Sequence, residues 1–369
     1  MKIGILTYHR AENYGALLQA YALRTFLRQS GDDVSFIDYW PEYHVEHYRL
    51  FSWKRFRHYN IKGKLNYLFT FIIWLLPRYL RKTRLQHFMY SRLGLSSKIQ
   101  YTKDEDVTCP YDVAVYGSDQ IWRRQDIHGN QYNFWYFGSP NVKAKDKITY
   151  AASMGVIDAT AHECSLIKEH LRAFSAISVR ERNLQSFLTD LGFSSCLVSD
   201  PVFLLSQKEW RKLFRQRACN EKYIFFYNLL QTPESVQFAD ALSKETGLPV
   251  KEINMHLQWD HIFSRRYYAC ASIETFLRML SDATYVVSNS FHGVAFSLLF
   301  EKQFFAVGMR ERAQRVVSLL QSAQIEERYI QGEPLQAIQM PPIDYRLVAP
   351  KLLELENASK HYLHYSIRQ

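Results

Sequence analysis

The sequence predicts an α/β protein made of two parallel-sheet domains, and three observations carry that prediction. At 369 residues the chain is too long for one ordinary core. Apolar runs such as "VAVY", "YIFFY" and "TYVV" end in glycine or polar turns and read as strands buried on both faces. Helical stripes alternate with these runs, which implies a parallel sheet covered on both sides.

The first domain is expected over residues 1–204. It opens with a strand over Lys2–Thr7, a loop through Gly15 and a helix from about Ala16 to Gln29. Leu17, Leu18, Tyr21, Ala22 and Phe26 give that helix one apolar face. "DDVSFIDY" supplies a second strand, and a basic helical insertion follows over about 41–106. "YDVAVYGSDQIW" reads as a buried strand ending in a glycine turn, and "KITYAASMG" as another. "HLRAFSAISVRERNLQSFLTDLG" runs helix, strand, turn, helix, and "CLVSDPVFLL" closes the half with a strand and a proline.

The second domain is expected over 205–369, after a junction near Pro201 to Glu209. "KYIFFYNL", "PVKEINM", "TYVVSNS" and "QFFAVG" are its strands. "SVQFADALSKETG", "SIETFLRMLSDA", "HGVAFSLLFEKQ" and the stretch from Ile343 are its helices.

Hydrophobic content of 47% with 22% charged residues is that of a globular chain. The 25 Tyr and 24 Phe suit cores first, and sugar sites or membrane interfaces second. The five cysteines, Cys109, Cys164, Cys196, Cys219 and Cys270, are too far apart for a metal knuckle or redox pair. Their odd number argues against a disulfide framework, and a reducing cytoplasm fits best. The apolar run at the N-terminus is too short for a signal peptide.

Net charge is +10, and one segment supplies it. Residues 47–103 hold thirteen Lys or Arg and no Asp or Glu, leaving 33 basic against 36 acidic residues elsewhere. At its centre lies "LNYLFTFIIWLLPRYLRKTRLQHF", whose apolar core from Tyr67 to Pro77 is broken only by Thr70. That is about half of the roughly 20 residues needed to span a bilayer. Two readings remain: a buried helix with a solvated basic flank, or an interfacial element resting on anionic lipid. A nucleic-acid reading is weaker, because no helix-turn-helix, RNA-recognition or zinc pattern accompanies the charge.

Ligands of open α/β sheets bind beyond the carboxyl ends of the strands. Four polar clusters occupy such ends here. The first holds His9, Arg10, Asn13, Tyr14 and Gly15, and the second Gly117, Ser118, Asp119 and Gln120. The third is Arg180, Glu181 and Arg182, and the fourth runs Ser288, Asn289, Ser290, Phe291, His292, Gly293. A helix is expected after each, and its free N–H groups favour an anion. Each residue also has a plain structural reading. His292 could be packed, Asp119 could cap a helix starting at Gln120 or Ile121, and Arg180 could pair with Glu181.

The stretches "IGILTYHRAENYGALLQAYAL", "YDVAVYGSDQIW", "YAASMG", "ISVRER", "VSDPVFLL", "VVSNSFHGVAFSLLFEKQF" and "RVVSLLQSAQIEER" together resemble the polysaccharide pyruvyl transferase family. The resemblance implies a GT-B-like pair of Rossmann-like domains facing across a cleft, an acceptor-side first domain and a donor-binding second one. It implies phosphoenolpyruvate as donor and a glycan or polyprenyl-linked sugar as acceptor, yielding a pyruvate ketal; no metal cluster is visible in the sequence, and no cofactor is expected.

Matched residue by residue, His292 takes the role of donor-binding general acid and Asp119 that of base. Arg180, Ser288, Asn289, Ser290, Gly293 and Arg315 fall on the donor side; Asn13, Tyr14, Gly15 and Ser118 fall on the acceptor side. Many relatives carry an arginine where this chain has Ser290, so Arg310, Arg312 or Arg315 would have to supply that cation. The same arrangement also suits a glycosyltransferase using a nucleotide sugar. The expected location is the cytoplasm, with peripheral contact at the inner face of the plasma membrane through 47–103.

Overall fold

The computed structural model describes residues 1–216, 221–254, 264–310 and 313–368. Strand β1 (Lys2–Leu6) feeds helix α1 (Tyr14–Gln29), which returns to β2 (Asp33–Phe36). Helices α2 (Glu42–His47), α3 (Trp53–His58) and α4 (Ile61–Arg92) precede β3 (Val107–Tyr116) and β4 (Val142–Thr149). These four strands form one parallel sheet in the order β2-β1-β3-β4. Next come α5 (Ala161–Leu171), β5 (Ser178–Val179), α6 (Arg182–Asp190) and β6 (Cys196–Leu197). β5 and β6 pair in parallel, and bridges from Ile148 to Ala176 and from Ala152 to Val179 join them beyond β4.

After α7 (Gln207–Arg211) the pattern restarts with β7 (Ile224–Asn228), α8 (Pro233–Thr246), β8 (Val250–Asn254) and α9 (Ile273–Asp282). It continues through β9 (Tyr285–Ser288), α10 (Phe291–Leu299), β10 (Gln303–Val307), α11 (Gln314–Ala323) and β11 (Tyr329–Ile330). The second sheet is parallel throughout, in the order β11-β10-β9-β7-β8. Helices α12 (Pro334–Ile338) and α13 (Tyr345–Arg368) end the described chain.

The largest apolar cluster belongs to both halves. Leu17 and Leu23 of α1 share it with Trp210, Phe296 and Leu363. Helix α13 crosses back to the first sheet, where the Tyr362 hydroxyl donates to the Thr149 carbonyl at 2.9 Å. Ser359 Oγ accepts from the Ser199 amide at 2.8 Å. Burial of this seam sets how the strand ends of the two sheets face each other.

Three local readings change. Asn13 caps α1, accepting from the amides of Gly15 and Ala16, so the helix begins at Tyr14 rather than Ala16. No helix follows Asp119. Ile121 and Trp122 instead turn fully inward, and the indole N–H donates to the Tyr136 carbonyl at 2.8 Å. His9 and Arg10 do not face a ligand space, because both bind buried Asp38, at 3.0 and 2.5 Å. Burial raises the Asp38 carboxyl, but hydrogen bonds from Arg10 and His9 outweigh it and hold it well below the usual range.

Helix α4 is anchored at one end. Leu85, Phe88 and Met89 are buried in the main core, and Trp74, also buried, lines a hollow with Tyr268, Cys270 and Thr275. Lys82 pairs with Glu12, and Arg84 Nη1 donates to the Cys270 carbonyl. Among the described residues no helix is long and apolar enough to cross a membrane.

Candidate active site

A cleft of about 350 Å³ opens between the carboxyl ends of the two sheets. From the first half it is lined by Tyr8, Asn13, Trp40, His44 and Asp119, and from the second by Asn289, Ser290, His292 and Arg315.

His292 occupies the second position of α10, whose N-cap is Ser290. Its ring stands edge-on to Phe291 and rests against Gly15, where a β-carbon would lie 2.0 Å from Nδ1. The chain therefore needs glycine at position 15 to let an imidazole of the other half approach α1. Nε2 makes no hydrogen bond, and the nearest carboxylate oxygen, Asp200 Oδ2, stands 3.7 Å away. Burial pushes the imidazole down to about 4; Asp200 and Asp119 pull it upward by less, while Arg180 and Arg315 add to the depression. Burial thus favours the neutral imidazole of His292, rather than the near-neutral titration of a free histidine.

Behind it lies a buried ion cluster. Arg180 donates to Asp200, lies over the Phe291 ring at 4.6 Å, and keeps Asp119 and Glu181 at 3.8 and 4.0 Å. Its Nε and Nη2 make no hydrogen bond. Burial opposes the charge on Arg180, but Asp200, Glu181 and Asp119 maintain it. Glu181 is committed elsewhere, accepting from Ser153 Oγ and from the amides of Met154 and Gly155. Asp119, at φ 70°, accepts from the Gln120 amide and stands 3.9 Å from Arg315 Nη1.

The residues singled out by sequence sort into two sets. Asn13, Asp119, Asn289, Ser290, His292 and Arg315 line the cleft. Tyr14, Gly15, Ser118, Arg180, Ser288 and Gly293 do not, and each has a structural reason. Tyr14 stacks on Phe276 in the seam and spends its hydroxyl on the Ala271 carbonyl at 2.8 Å. Ser118 Oγ donates to Asp200 at 3.3 Å. Ser288 Oγ accepts from the Ser290 amide and so closes the turn into α10. Gly293 leaves room for that hydroxyl, which a β-carbon would meet at 2.1 Å. Arg180 lies behind the cleft and touches two of its lining residues, Phe291 and Asp119. Of the three arginines expected to offset Ser290, Arg315 lines the cleft, Arg310 faces Glu234 at 3.4 Å, and Arg312 lies outside the described residues.

Sequence reasoning missed Asp200 and the aromatic wall. Asp200 is buried, accepts from Arg180, Ser118 and the Val202 amide, and ties the first half to His292. Its signal was the Asp-Pro pair, which reads as an ordinary helix cap. On the opposite wall Trp40 stacks on His44 at 4.3 Å, with Tyr8 edge-on to both and Tyr48 beside them. Burial pushes His44 down to about 3, with neither ring nitrogen hydrogen-bonded. Among the described residues no three His, Cys, Asp or Glu side chains are grouped to hold a metal ion.

Two parallel-sheet lobes meeting at their strand ends are the GT-B-like fold. The structure is similar to a UDP-N-acetylglucosamine 2-epimerase from Rickettsia bellii, with a TM-score of 0.50 at 9% identity, covering 98% of this chain and 94% of that one. A UDP-GlcNAc 2-epimerase from Neisseria meningitidis bound to UDP-GlcNAc gives a TM-score of 0.45 at 11% identity over 100% of both chains. Those likenesses concern the fold alone. The sequence pattern of the polysaccharide pyruvyl transferase family matches residues 13–310, and the chain belongs to that family. Membership implies a transferase. Among curated proteins none matches the sequence.

Proposed function

We propose that this cleft transfers the pyruvyl group of phosphoenolpyruvate to two hydroxyls of one sugar, in a surface polysaccharide or its lipid-linked precursor. The products are a pyruvate ketal and inorganic phosphate. The observation that carries the reading is the meeting of His292, Arg315 and Asp119 in one cleft of a family member.

Arg315 and the free amides at the start of α10 suit the phosphate and carboxylate of the donor. A dianion beside His292 raises its pKa, so the proton arrives with the donor. That proton passes from His292 to the methylene carbon of the enol, leaving an oxocarbenium-like centre at the adjacent carbon. One sugar hydroxyl adds there and gives its proton to Asp119. The carbon–oxygen bond to phosphate then breaks, the phosphate leaving with the bonding pair, and the second hydroxyl closes the ring and gives its proton to the now neutral His292. Trp40, His44, Tyr8 and Tyr48 supply a flat apolar wall for the C–H face of the acceptor.

The test mixes the protein with phosphoenolpyruvate and an undecaprenyl-linked glycan, reading phosphate release and a mass gain on the glycan. Both should occur, and both should vanish in His292→Ala. Phosphate-independent transfer from a UDP- or CMP-sugar would instead assign the cleft to a glycosyltransferase.

A further inference from the structure

The stretch of α4 from Ile61 to Tyr79 turns large apolar side chains to solvent. Ile61, Leu65, Phe69, Ile72, Leu76 and Tyr79 are each more than half exposed. Their spacing of three and four residues places them in one stripe, about 27 Å long at the helical rise. Trp53, at the start of α3, is exposed as well.

A soluble surface seldom carries such a stripe without an occupant. The surrounding charge says which one. Residues 47–103 contain thirteen cations and no carboxylate. Lys62 and Lys64 flank the stripe on its two sides, and Lys54, Arg55 and Arg57 are exposed on α3. A second copy would set these cations against their own kind. A nucleic acid would satisfy the cations but leave the stripe wet. An acidic bilayer offers an apolar layer below the stripe and phosphates at its rim.

We propose that the α3–α4 face docks this protein on an anionic membrane, with α4 lying in the plane of the interface. The face adjoins the cleft. His47 and Ile127 line both the cleft and a hollow of about 420 Å³ formed with Lys54 and Arg55 of α3 and with Tyr59 just after it. A docked protein therefore holds its cleft beside the lipid. The inference stands apart from the reaction, since it is read by binding alone.

The test is sedimentation of the full chain with vesicles of phosphatidylcholine alone or with added phosphatidylglycerol. The protein should pellet with the anionic vesicles and leave them as salt rises. Leu65→Glu/Ile72→Glu/Leu76→Glu should weaken the partition about tenfold or more at unchanged melting temperature. Arg55→Glu/Arg57→Glu/Lys62→Glu should weaken binding to the anionic vesicles alone. Folded protein that ignores anionic vesicles at low salt overturns the proposal, as does binding that the first variant keeps. A lipid-free dimer that the same variant splits, with no vesicle binding, also overturns it and gives the face to a second copy.

Discussion

Gly15 at the start of α1 lies directly against His292 at the start of α10, two helix residues from different halves of the chain that the missing β-carbon lets meet. Placing an atom there drives the imidazole out of the cleft. Gly15→Ala should lower kcat/KM by about 100-fold or more while costing about 1–3 kcal/mol of stability. Turnover and a thermal melt on the same preparation check both. Unchanged turnover would separate this contact from the reaction.

Arg315 and Arg180 should fail differently. Arg315 lines the cleft, so Arg315→Ala should raise KM for phosphoenolpyruvate by about 10–100-fold, with Arg315→Lys recovering part of the loss. Arg180 is held behind Phe291, so Arg180→Ala should show first as lower stability, by leaving Asp200 buried without its cation. Steady-state kinetics beside denaturant melts distinguish the two.

Asp200→Asn removes the charge that balances Arg180 while keeping a side chain that can still accept from the Val202 amide. A buried guanidinium left with only Asp119 and Glu181, at 3.8 and 4.0 Å, should cost about 3–5 kcal/mol. The double change Arg180→Met/Asp200→Leu should recover much of that stability without restoring activity. Urea unfolding of the three proteins measures it.

Acid should loosen the fold early. His292 and His44 are held down at about 4 and about 3 in the fold, while an unfolded chain protonates histidine near 6.5. Between those limits the unfolded state binds more protons, so stability is lost as pH falls below about 6.5, by up to about 1.4 kcal/mol per pH unit for each ring. His44→Phe should flatten this slope and His292→Gln should flatten it further. Phosphoenolpyruvate should reverse the effect at His292, because binding draws a proton onto that ring. Calorimetry in buffers of different ionisation heat should show proton uptake in the wild type and none in His292→Gln.

Much of this was legible in the chain. The alternation of apolar runs and helical stripes marks both sheets, and the rule that ligands sit beyond strand ends leads from "TYVVSNS" to His292. What stayed hidden depends on packing between segments distant in sequence. Tyr14 looks like a loop residue until Asn13 caps the helix two residues early and turns the ring onto Phe276. Asp200 passes for a cap because the same carboxylate also performs that task. "GSDQIW" promised a helix, but burying Trp122 against the Phe137 ring and the Tyr136 carbonyl prevails over local preference. Trp40, His44 and Tyr48 sit at the edge of the basic segment, and only the fold brings them to the cleft wall.

The most direct measurement is diffraction from crystals soaked with phosphoenolpyruvate. The account predicts the donor in this cleft, with its phosphate or carboxylate within hydrogen-bonding distance of His292 Nε2 and the Arg315 guanidinium. Density for the donor on another surface, or a cleft that fills only with a nucleotide sugar, would contradict it.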